Sequence, residues 1–413
     1  MPITRISDRV TSVGASDPQL PYFDRLMPTP YGTTYNSYLI QGDERIALID
    51  PVQENTVDQL LRNLAAAGID RLDDLICLHT EQDHSGSVDI LCDRFPNVRL
   101  IGTAKVAEFM DVHHHIPTER FHEVAAGDVI DLGGVTLECK PIAFAHWPDN
   151  TMFWMPEEKI LFSSDLFGSH YAPTAPGGPD PAIQLKESRA YFSEIMMPAT
   201  RHVARYVEQV RALNPEIICA AHGPVWTDPE PILAQYEQMV SGHVARSVVI
   251  AYVSMHESTA KMVDIVADTL AEEGLDVTLF DLGDAGEDLR VHLGSAVTAS
   301  VNAAALLLAA PTVLGGAHPV AQAMALMLNA FRPPVRWIGL LGSFGWGSQM
   351  VKQLEGLMAR HPAERLDPLL VRGLPTAEEA ADLRAYAEAL AERIYAIPED
   401  EIIDDVIGED VVG

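Results

Sequence analysis

The sequence predicts an α/β protein with two consecutive domains, a mixed α/β sandwich followed by a doubly wound parallel sheet. The chain has 413 residues, enough for two or three domains at about 100–200 residues each, and 47% of them are hydrophobic. Short strands with Gly, Pro and Asp turns fill the first part, whereas continuous apolar strands alternate with helices in the second. We therefore predict domains at residues 1–245 and 246–397 and an acidic tail at 398–413.

In the first domain the predicted strands are short, and helices lie between some of them. Strands that pair locally with interspersed helices favour a sandwich over a simple βαβ winding. The predicted strands are 37–41, 45–50, 75–79, 98–102, 135–141 and 159–163, and the predicted helices are 56–67 and 191–213.

In the second domain, strand and helix alternate. Ser247–Val253 is apolar throughout, which is typical of a strand covered on both faces in a parallel sheet. This alternation predicts a doubly wound sheet, which binds ligands at the carboxyl ends of its strands. The other predicted strands are 304–310, 335–341 and 366–371, and the predicted helices are 259–273, 276–282, 319–330, 349–358 and 376–394.

The charge balance is strongly acidic and excludes several classes of partner. There are 59 Asp and Glu residues against 28 Lys and Arg residues, a net charge of −31. Nucleic acids and anionic membranes both require clustered basic residues, so we expect neither as a partner. No apolar run approaches the roughly 20 residues of a membrane span, and the first residues lack the apolar stretch of a signal peptide. We therefore expect a cytoplasmic protein.

A cluster of potential metal ligands follows the apolar run Leu75–Leu78. A strand that runs into a loop presents alternate side chains on one side, so His79, Glu81 and Asp83 can converge. Three further ligand types follow other apolar strands. Four histidines and three carboxylates are too many for one zinc ion and suit two metal ions with one shared carboxylate. The seven candidates are His79, Glu81, Asp83, His84, His146, Asp165 and His222.

This pattern resembles the metallo-β-lactamase superfamily, whose His-x-His-x-Asp-His loop is followed by distant His, Asp and His residues. It departs at the second histidine, where this chain has Glu81. A carboxylate is a harder ligand than imidazole and shifts the preference from zinc toward iron. The Glu-for-His form is similar to the flavodiiron proteins, in which an αββα metallo-β-lactamase-like sandwich precedes a flavodoxin-like domain. The domain order here is the same, and the resemblance covers nearly the whole chain.

The resemblance implies a non-haem diiron centre. In some family members the histidine that matches His84 swings away from the metal. His170 and Tyr191 are candidate hydrogen-bond donors to a bound oxygen species. The implied ligands are His79, Glu81 and His146 for one iron, Asp83, His84 and His222 for the other, and Asp165 as the bridge.

The resemblance also implies FMN, held by three loops at the carboxyl ends of strands in the second domain. Flavodoxins bind the FMN phosphate with hydroxyl groups and the N–H groups of a helix N-terminus. Glu257 replaces the glycine of many relatives, and because a carboxylate repels phosphate we expect it to point outward. Phe344 or Trp346 is expected to flank the isoalloxazine ring. The candidate residues are Ser254, Met255, His256, Glu257, Ser258, Thr259, Pro311, Thr312, Val313, Leu314, Gly315, Ser343, Phe344, Gly345, Trp346 and Gly347.

As a function, the resemblance implies an oxidoreductase that reduces O₂ to water, NO to N₂O, or both. Electrons come through FMN from an external donor, a rubredoxin or reduced coenzyme F420. The family works head to tail, so we expect a homodimer or homotetramer in which the FMN of one subunit serves the irons of another. Two alternatives are a dinuclear zinc hydrolase fused to a flavodoxin module and an electron carrier with a vestigial metal domain. Glu81 argues against the first, and the complete ligand set argues against the second.

Overall fold

The chain, in a computed structural model, is described over residues 3–175, 178–284, 286 and 288–408, and it divides into two compact units. Two short segments of the N-terminal half belong to the second unit, an exchange that no sequence pattern indicates. Within the described ranges, no helix has the length and hydropathy of a membrane span. The first unit comprises Met1–Phe23, Thr29–Phe192 and Ala199–Glu237, and the second comprises Asp24–Pro28, Ser193–Pro198 and Gln238–Gly413.

The elements up to residue 240 are as follows. The strands are β1 (Thr4–Arg5), β2 (Val10–Ser12), β3 (Ala15–Asp17), β4 (Tyr22–Phe23), β5 (Met27–Pro28), β6 (Thr33–Tyr35), β7 (Tyr38–Gln41), β8 (Ile46–Ile49), β9 (Asp74–Ile76), β10 (Arg99–Gly102), β11 (Phe121–Glu123), β12 (Val129–Asp131), β13 (Thr136–Pro141), β14 (Thr151–Met155), β15 (Ile160–Ser164) and β16 (Ile217–Ala220). The helices are α1 (Val57–Ala66), α2 (Gln82–Ser85), α3 (Val88–Arg94), α4 (Ala104–His114), α5 (Pro181–Tyr191), α6 (Thr200–Leu213) and α7 (Glu230–Val240).

Two sheets form the centre of the first unit. One has the order β1-β2-β7-β8-β9-β10-β11, and the other has the order β12-β13-β14-β15-β16. In both sheets the pairing is antiparallel at first and parallel at the far end. Side chains from both sheets, such as Ile40 and Ile76 from the first and Leu137 and Phe153 from the second, share one apolar core. The first unit is therefore the predicted sandwich.

The helix predicted over residues 191–213 is wrong in its bounds. Helix α5 ends at Tyr191, a π-helix covers Phe192–Met196, a 3₁₀ turn follows, and α6 begins at Thr200. Pro198 explains the break, because proline lacks a backbone N–H and clashes with the preceding turn of an α-helix. The break leaves Tyr191 beside a π-helix, a feature often found at functional sites.

The second unit contains a parallel sheet with the strand order β18-β17-β19-β21-β22, and β23 continues the edge beside β21. This is the 2-1-3-4-5 order of flavodoxin-like doubly wound folds. The strands are β17 (Ala245–Tyr252), β18 (Asp276–Asp281), β19 (Ala303–Val313), β20 (Gly316–Ala317), β21 (Trp337–Phe344), β22 (Glu364–Arg365) and β23 (Leu369–Arg372). The helices are α8 (Ser258–Glu272), α9 (Leu289–Ala299), α10 (Pro319–Phe331), α11 (Met350–Leu357) and α12 (Ala377–Tyr395).

Three details of this unit differ from the sequence prediction. The strand predicted over residues 366–371 is wrong in its bounds, because strand β23 covers Leu369–Arg372 and the separate short strand β22 covers Glu364–Arg365. The helix predicted over residues 276–282 is wrong, because this segment is strand β18, which pairs in parallel with β17. A run of this length is ambiguous by periodicity, and strand pairing decides its structure. Helix α9 lies where no element was predicted; its start is capped by Asp288, whose side chain accepts from Arg290 N at 2.9 Å.

The segment after residue 398 packs on its own domain over its described part. Val244 N donates to Glu401 O at 3.1 Å, and Ile403 N donates to Val244 O at 3.0 Å. Arg336 forms an ion pair with Glu401 at 2.7 Å. Residues 409–413 of the predicted tail lie outside the described residues.

A buried carboxylate in β9 joins β10 to the residue that precedes β8, and its loss should destabilise the first unit. Asp74 is fully buried and binds Arg45 at 2.6 and 2.8 Å and Arg99 at 2.8 Å. We expect Asp74→Asn to lower the free energy of unfolding by about 2–3 kcal/mol, because both arginines lose a charged acceptor while remaining partly solvated. Asp43→Asn is the matched control, since its pair with Arg9 is exposed and contributes less than about 1 kcal/mol. Equal losses in chemical denaturation would contradict this account.

Candidate metal centre and flavin site

The first unit brings all seven predicted ligands into one cluster beyond the ends of its strands. The polypeptide leaves β9 through a short loop and enters the single-turn helix α2, so the first four ligands follow one strand. The others lie in the segments after β13, β15 and β16. The ligands are His79 and Glu81 after β9, Asp83 and His84 in α2, His146 after β13, Asp165 after β15 and His222 after β16.

His79, Glu81 and His146 surround one position. Glu81 Oε2 lies 3.2 Å from Nε2 of His79 and 3.2 Å from Nε2 of His146. Asp165 Oδ2 lies 3.5 Å from His79 Nε2 and 3.4 Å from His146 Nε2. Two imidazole nitrogens and two carboxylate oxygens therefore face a common point.

Asp83, His84 and His222 surround a second position. Asp83 Oδ2 lies 3.1 Å from His84 Nε2 and 3.0 Å from His222 Nε2. Asp165 Oδ1 lies 3.1 Å from His84 Nε2 and 3.8 Å from His222 Nε2. Asp165 thus presents Oδ2 to the first position and Oδ1 to the second, as a carboxylate that bridges two metal ions does. His84 faces the cluster in this structure and is not turned away.

Hydrogen bonds on the far side of two histidines fix which nitrogen is available to a metal. His222 Nδ1 lies 2.6 Å from the carbonyl oxygen of Thr34 and donates to it, which leaves a lone pair on Nε2. His79 Nδ1 lies 3.3 Å from Asp149 Oδ1, and the same reasoning leaves its Nε2 available. Carboxylate and carbonyl partners of this kind orient metal-ligating histidines.

The electrostatics of the cluster favour cations. Burial lowers the pKa of His79, but hydrogen bonds with Asp149 and Glu81 outweigh it and raise that pKa to about 10. Burial likewise lowers the pKa of His146, and its contacts with Asp165 and Glu81 raise it to about 10. The carboxylates therefore favour positive charge at each Nε2, and a metal cation supplies that charge in place of the proton.

Asp83 gives a direct test of whether the cluster fits metal ions. Both of its carboxylate oxygens are buried, and neither accepts a hydrogen bond from the described residues. A buried carboxylate without donors is costly unless a cation neutralises it. The mixed histidine and carboxylate set, with a shared Asp165, suits two iron ions.

The two positions differ in exposure. The side chains of Glu81 and His146 are 18% and 19% exposed, whereas those of Asp83, His84 and His222 are 9% exposed or less. The first position therefore borders solvent. The second position is enclosed by protein.

The two predicted hydrogen-bond donors lie beside the enclosed position. Tyr191 donates its phenol hydrogen to Asp165 Oδ1 at 3.1 Å. His170 Nδ1 lies 2.9 Å from Thr33 Oγ1, and its ring stacks on Phe23 with centroids 4.4 Å apart. Burial and the neighbouring His222 hold the pKa of His170 well below its usual range, so this ring is neutral.

The sequence analysis missed three residues of the site. Asp149 orients His79, Phe23 lies 5.4 Å from the ring of His222, and Trp147 lies 5.0 Å from the ring of His79. Trp147 and Asp149 stand one and three residues after the ligand His146, and that proximity is a signal that could have found them. No local signal marks Phe23, because its contact depends on long-range packing.

The second unit places the three predicted FMN-binding segments at the carboxyl ends of β17, β19 and β21. The strands are longer than predicted, so 311–313 and 343–344 are terminal strand residues instead of loop residues. Pairing with β20 and β23 explains the extra length. The free loops are therefore 254–257, 314–315 and 345–347.

These loops expose apolar side chains and leave space beside their backbone, as a binding site for a planar ring requires. Leu314, Trp346 and Met255 are 99%, 88% and 50% exposed, so large apolar groups stand uncovered at this edge. A Cβ added at Gly345 or Gly347 meets nothing within 4 Å, which leaves room for a ligand near the backbone. Trp346 is thus uncovered at this edge, and its contact with a flavin ring stays a prediction.

The first loop leads into the N-terminus of α8, where backbone N–H groups favour an anion. Ser254 Oγ accepts from Ala260 N at 3.1 Å, and Thr259 Oγ1 lies 2.9 Å from Ser343 Oγ. Glu257 precedes the helix with φ +67°, is exposed and makes no capping hydrogen bond with its side chain. Glu257 is therefore a solvent-exposed carboxylate at the start of α8, where the phosphate is expected.

Comparison with known proteins identifies the family. A family model described as "ODP family beta lactamase" matches residues 33–223. The coenzyme F420H(2) oxidase of Methanothermobacter marburgensis is 32% identical over 371 residues, which cover 86% of this chain and 89% of that protein. The chain belongs to the flavodiiron protein family.

Two further matches agree. The nitric oxide reductase of Moorella thermoacetica is 30% identical to this flavodiiron protein over 85% of this chain and 88% of its own length. The structure of rubredoxin oxygen:oxidoreductase from Desulfovibrio gigas matches with a TM-score of 0.89 and 26% identity, over 95% of this chain and 99% of that one. The predicted family, fold class and oxidoreductase class are confirmed, and with them the flavin and the diiron centre for which the family is named.

Asp149 offers a test of the ligand geometry. We expect Asp149→Asn to weaken metal binding about 10–100-fold, because the amide no longer accepts from His79 Nδ1 with a full charge. Thr80→Val is the matched control, since it removes one donor to Asp149 and leaves the carboxylate in place. Competition with a chelator of known affinity measures the change. An Asp149→Asn protein that holds iron as tightly as Thr80→Val would refute the role.

Proposed function

We propose that this flavodiiron protein reduces O₂ to water, NO to N₂O, or both at a diiron centre, with electrons delivered through FMN. The observation that carries the proposal is the carboxylate of Asp165, which faces one ligand set with each oxygen. When bound, the irons offer electrons and open coordination positions to a diatomic molecule, and FMN relays electrons to them. In this proposal His79, Glu81 and His146 would hold one iron, Asp83, His84 and His222 would hold the other, and Asp165 would be shared between them.

The protein residues around the centre control access and hydrogen bonding. The side chains of Glu81 and His146 leave a narrow exposed face, where a small diatomic molecule enters. Phe23 and Tyr35 pack edge-on against His222 and keep bulk water from the enclosed side. Tyr191 holds a hydrogen on Asp165 Oδ1 and moderates the negative charge of the bridge.

The names of the relatives support two classes of electron donor, coenzyme F420H₂ and rubredoxin. We include both in the proposal. We also propose a head-to-tail homodimer or homotetramer, because the exposed apolar groups Leu314 and Trp346 form the kind of surface that proteins cover on assembly. Sedimentation of the FMN-loaded protein tests this: a monomer at working concentration would contradict it. The four free thiols favour a reducing compartment, in keeping with a cytoplasmic protein.

A direct experiment distinguishes the proposed gas reductase from the alternative, a zinc hydrolase. The protein is expressed with added iron and reduced under anaerobic conditions with F420H₂ or with reduced rubredoxin. O₂ or NO is then added in measured amounts, and the consumption of each gas is followed. We expect turnover of at least one gas that requires both iron and FMN. Hydrolysis of a thioester or lactam by a zinc-loaded protein, with no consumption of either gas by the iron form, would contradict the proposal.

Glu257 sets the strength of FMN binding in this proposal. Its positive φ strains a side chain that has a Cβ, and its carboxylate stands at the phosphate end of the site. We expect Glu257→Gly to bind FMN about tenfold more tightly, because both costs disappear. Glu257→Gln removes the charge alone and should give part of that gain. Fluorescence titration of flavin-depleted protein checks both, and no gain with glycine would contradict the assignment.

A further inference from the structure

Trp147 lies directly against the exposed half of the metal centre and has no role in the function proposed above. It follows the ligand His146 in the chain, and its indole meets the ring of His79 edge-on, with centroids 5.0 Å apart. The ring of His146 lies 6.4 Å away. Phe109 and His113 lie 6.3 and 6.0 Å away and hold the indole between the ligands and the surface.

The number of electrons that O₂ reduction requires bears on what Trp147 can do. Reduction of one O₂ to two water molecules takes four electrons. Two ferrous ions supply two, and fully reduced FMN supplies the other two. An assembly whose diiron centres are reduced but whose FMN sites are all empty is therefore two electrons short at each centre when O₂ arrives.

We propose that Trp147 supplies those two electrons and is hydroxylated by the protein's own diiron centre. One oxygen atom of O₂ is inserted into an indole C–H bond to give C–O–H, and the other takes two protons from solvent and leaves as water. Both ferrous ions become ferric. Atoms and electrons balance, since the C–H bond and the two irons each contribute two electrons. The inference rests on the proposed function, because it requires bound iron that reacts with O₂.

Position and chemistry favour Trp147 over the other aromatic rings. It flanks the ligands of the position that borders solvent, beside the partly exposed Glu81 and His146. Tyr191 and Phe23 instead pack near His222, on the enclosed side. Indole is an electron-rich ring and is oxidised more readily than the ring of phenylalanine.

The chain contains its own control for indiscriminate oxidation. Tyr395 is 45% exposed and lies against the end of α8 opposite to the flavin loops, where it donates to the carbonyl oxygen of Glu273. Oxidants that diffuse through solution attack such exposed side chains first. Oxidation directed by the diiron centre attacks the half-buried Trp147 instead.

The test uses the full chain loaded with iron, in one sample with FMN and in a second from which FMN has been dialysed away at high salt. Both are reduced anaerobically, freed of excess reductant, exposed to ¹⁸O₂ and digested for mass spectrometry. Iron content and the loss of the ferrous state on exposure are measured in the same samples. Trp147→Phe is carried through the same steps.

We expect the FMN-free sample to gain about 18 Da on the peptide that contains Trp147, from one ¹⁸O atom in a C–H bond. The FMN-loaded sample and Trp147→Phe should lose this signal. Iron that is oxidised by O₂ without label at Trp147 would overturn the proposal and leave the proposed function intact. Label mainly on the exposed Tyr395, or on Trp346, Met255 or Tyr191, would overturn it too. Failure to bind iron would refute the proposed function together with this inference. Iron that binds but does not react with O₂ would overturn this inference and restrict the proposed function to NO.

Discussion

Substitution of Asp165 by alanine should disrupt both halves of the metal centre at once. Each oxygen of Asp165 faces one set of ligands. Its removal therefore takes one donor from each position, and alanine supplies no replacement. We expect the iron content to fall from two per chain to less than one and gas turnover to fall by about a thousandfold or more. Elemental analysis measures the iron content, and the rate at which the reduced protein consumes added O₂ or NO measures turnover.

A control separates loss of metal from loss of fold in this experiment. Asp89→Asn changes an exposed carboxylate in α3, close to the ligand helix α2 but outside the ligand set. It should retain two irons and full turnover, and both variants should give the circular dichroism of the unsubstituted protein. An Asp165→Ala protein that keeps two irons would show that the bridge is assigned to the wrong residue.

Glu81→His should change which metal the centre retains. Glu81 supplies the carboxylate of the exposed position, between Nε2 of His79 and Nε2 of His146. Burial raises the pKa of Glu81, but hydrogen bonds from His146 and His79 outweigh it and bring that pKa to about 2, so this ligand is anionic at neutral pH. A neutral imidazole there makes the ligand set resemble that of zinc hydrolases. We expect the iron-to-zinc ratio to fall about tenfold and gas turnover to fall with it.

Two further variants isolate the cause of that change. Glu81→Gln keeps the size of the side chain but removes its charge, and it should lose metal from the exposed position without gaining zinc. Glu81→Asp keeps the charge on a shorter side chain and should retain iron at reduced affinity. If Glu81→His kept two irons and full reduction of O₂ or NO, the carboxylate would not explain the choice of metal.

The metal ligands were accessible to sequence analysis because each has a local signature. His79 to His84 follow an apolar strand directly, and His146, Asp165 and His222 each follow another strand. These strands belong to two packed sheets, and strand ends at the same end of a sandwich lie close together, so their convergence could be expected without coordinates. Their pairing around two positions came from the family resemblance and agrees with the distances in the structure.

Other features depend on packing that no local pattern records. Segment 276–281 has a composition that suits a short helix or a strand, and its pairing with β17 decides the outcome. The exchange of residues 24–28 and 193–198 into the second unit follows from contacts far apart in sequence. Asp149 and Trp147 could be suspected from their nearness to His146, but only the fold brings them against His79.

The central claim is that one chain carries a diiron centre and a flavin. The most direct test is the iron, zinc and FMN content of protein purified after expression with added iron, together with its absorption spectrum. The account predicts about two irons and one FMN per chain, and little zinc. Two zinc ions per chain without flavin, unchanged by the added iron, would contradict it.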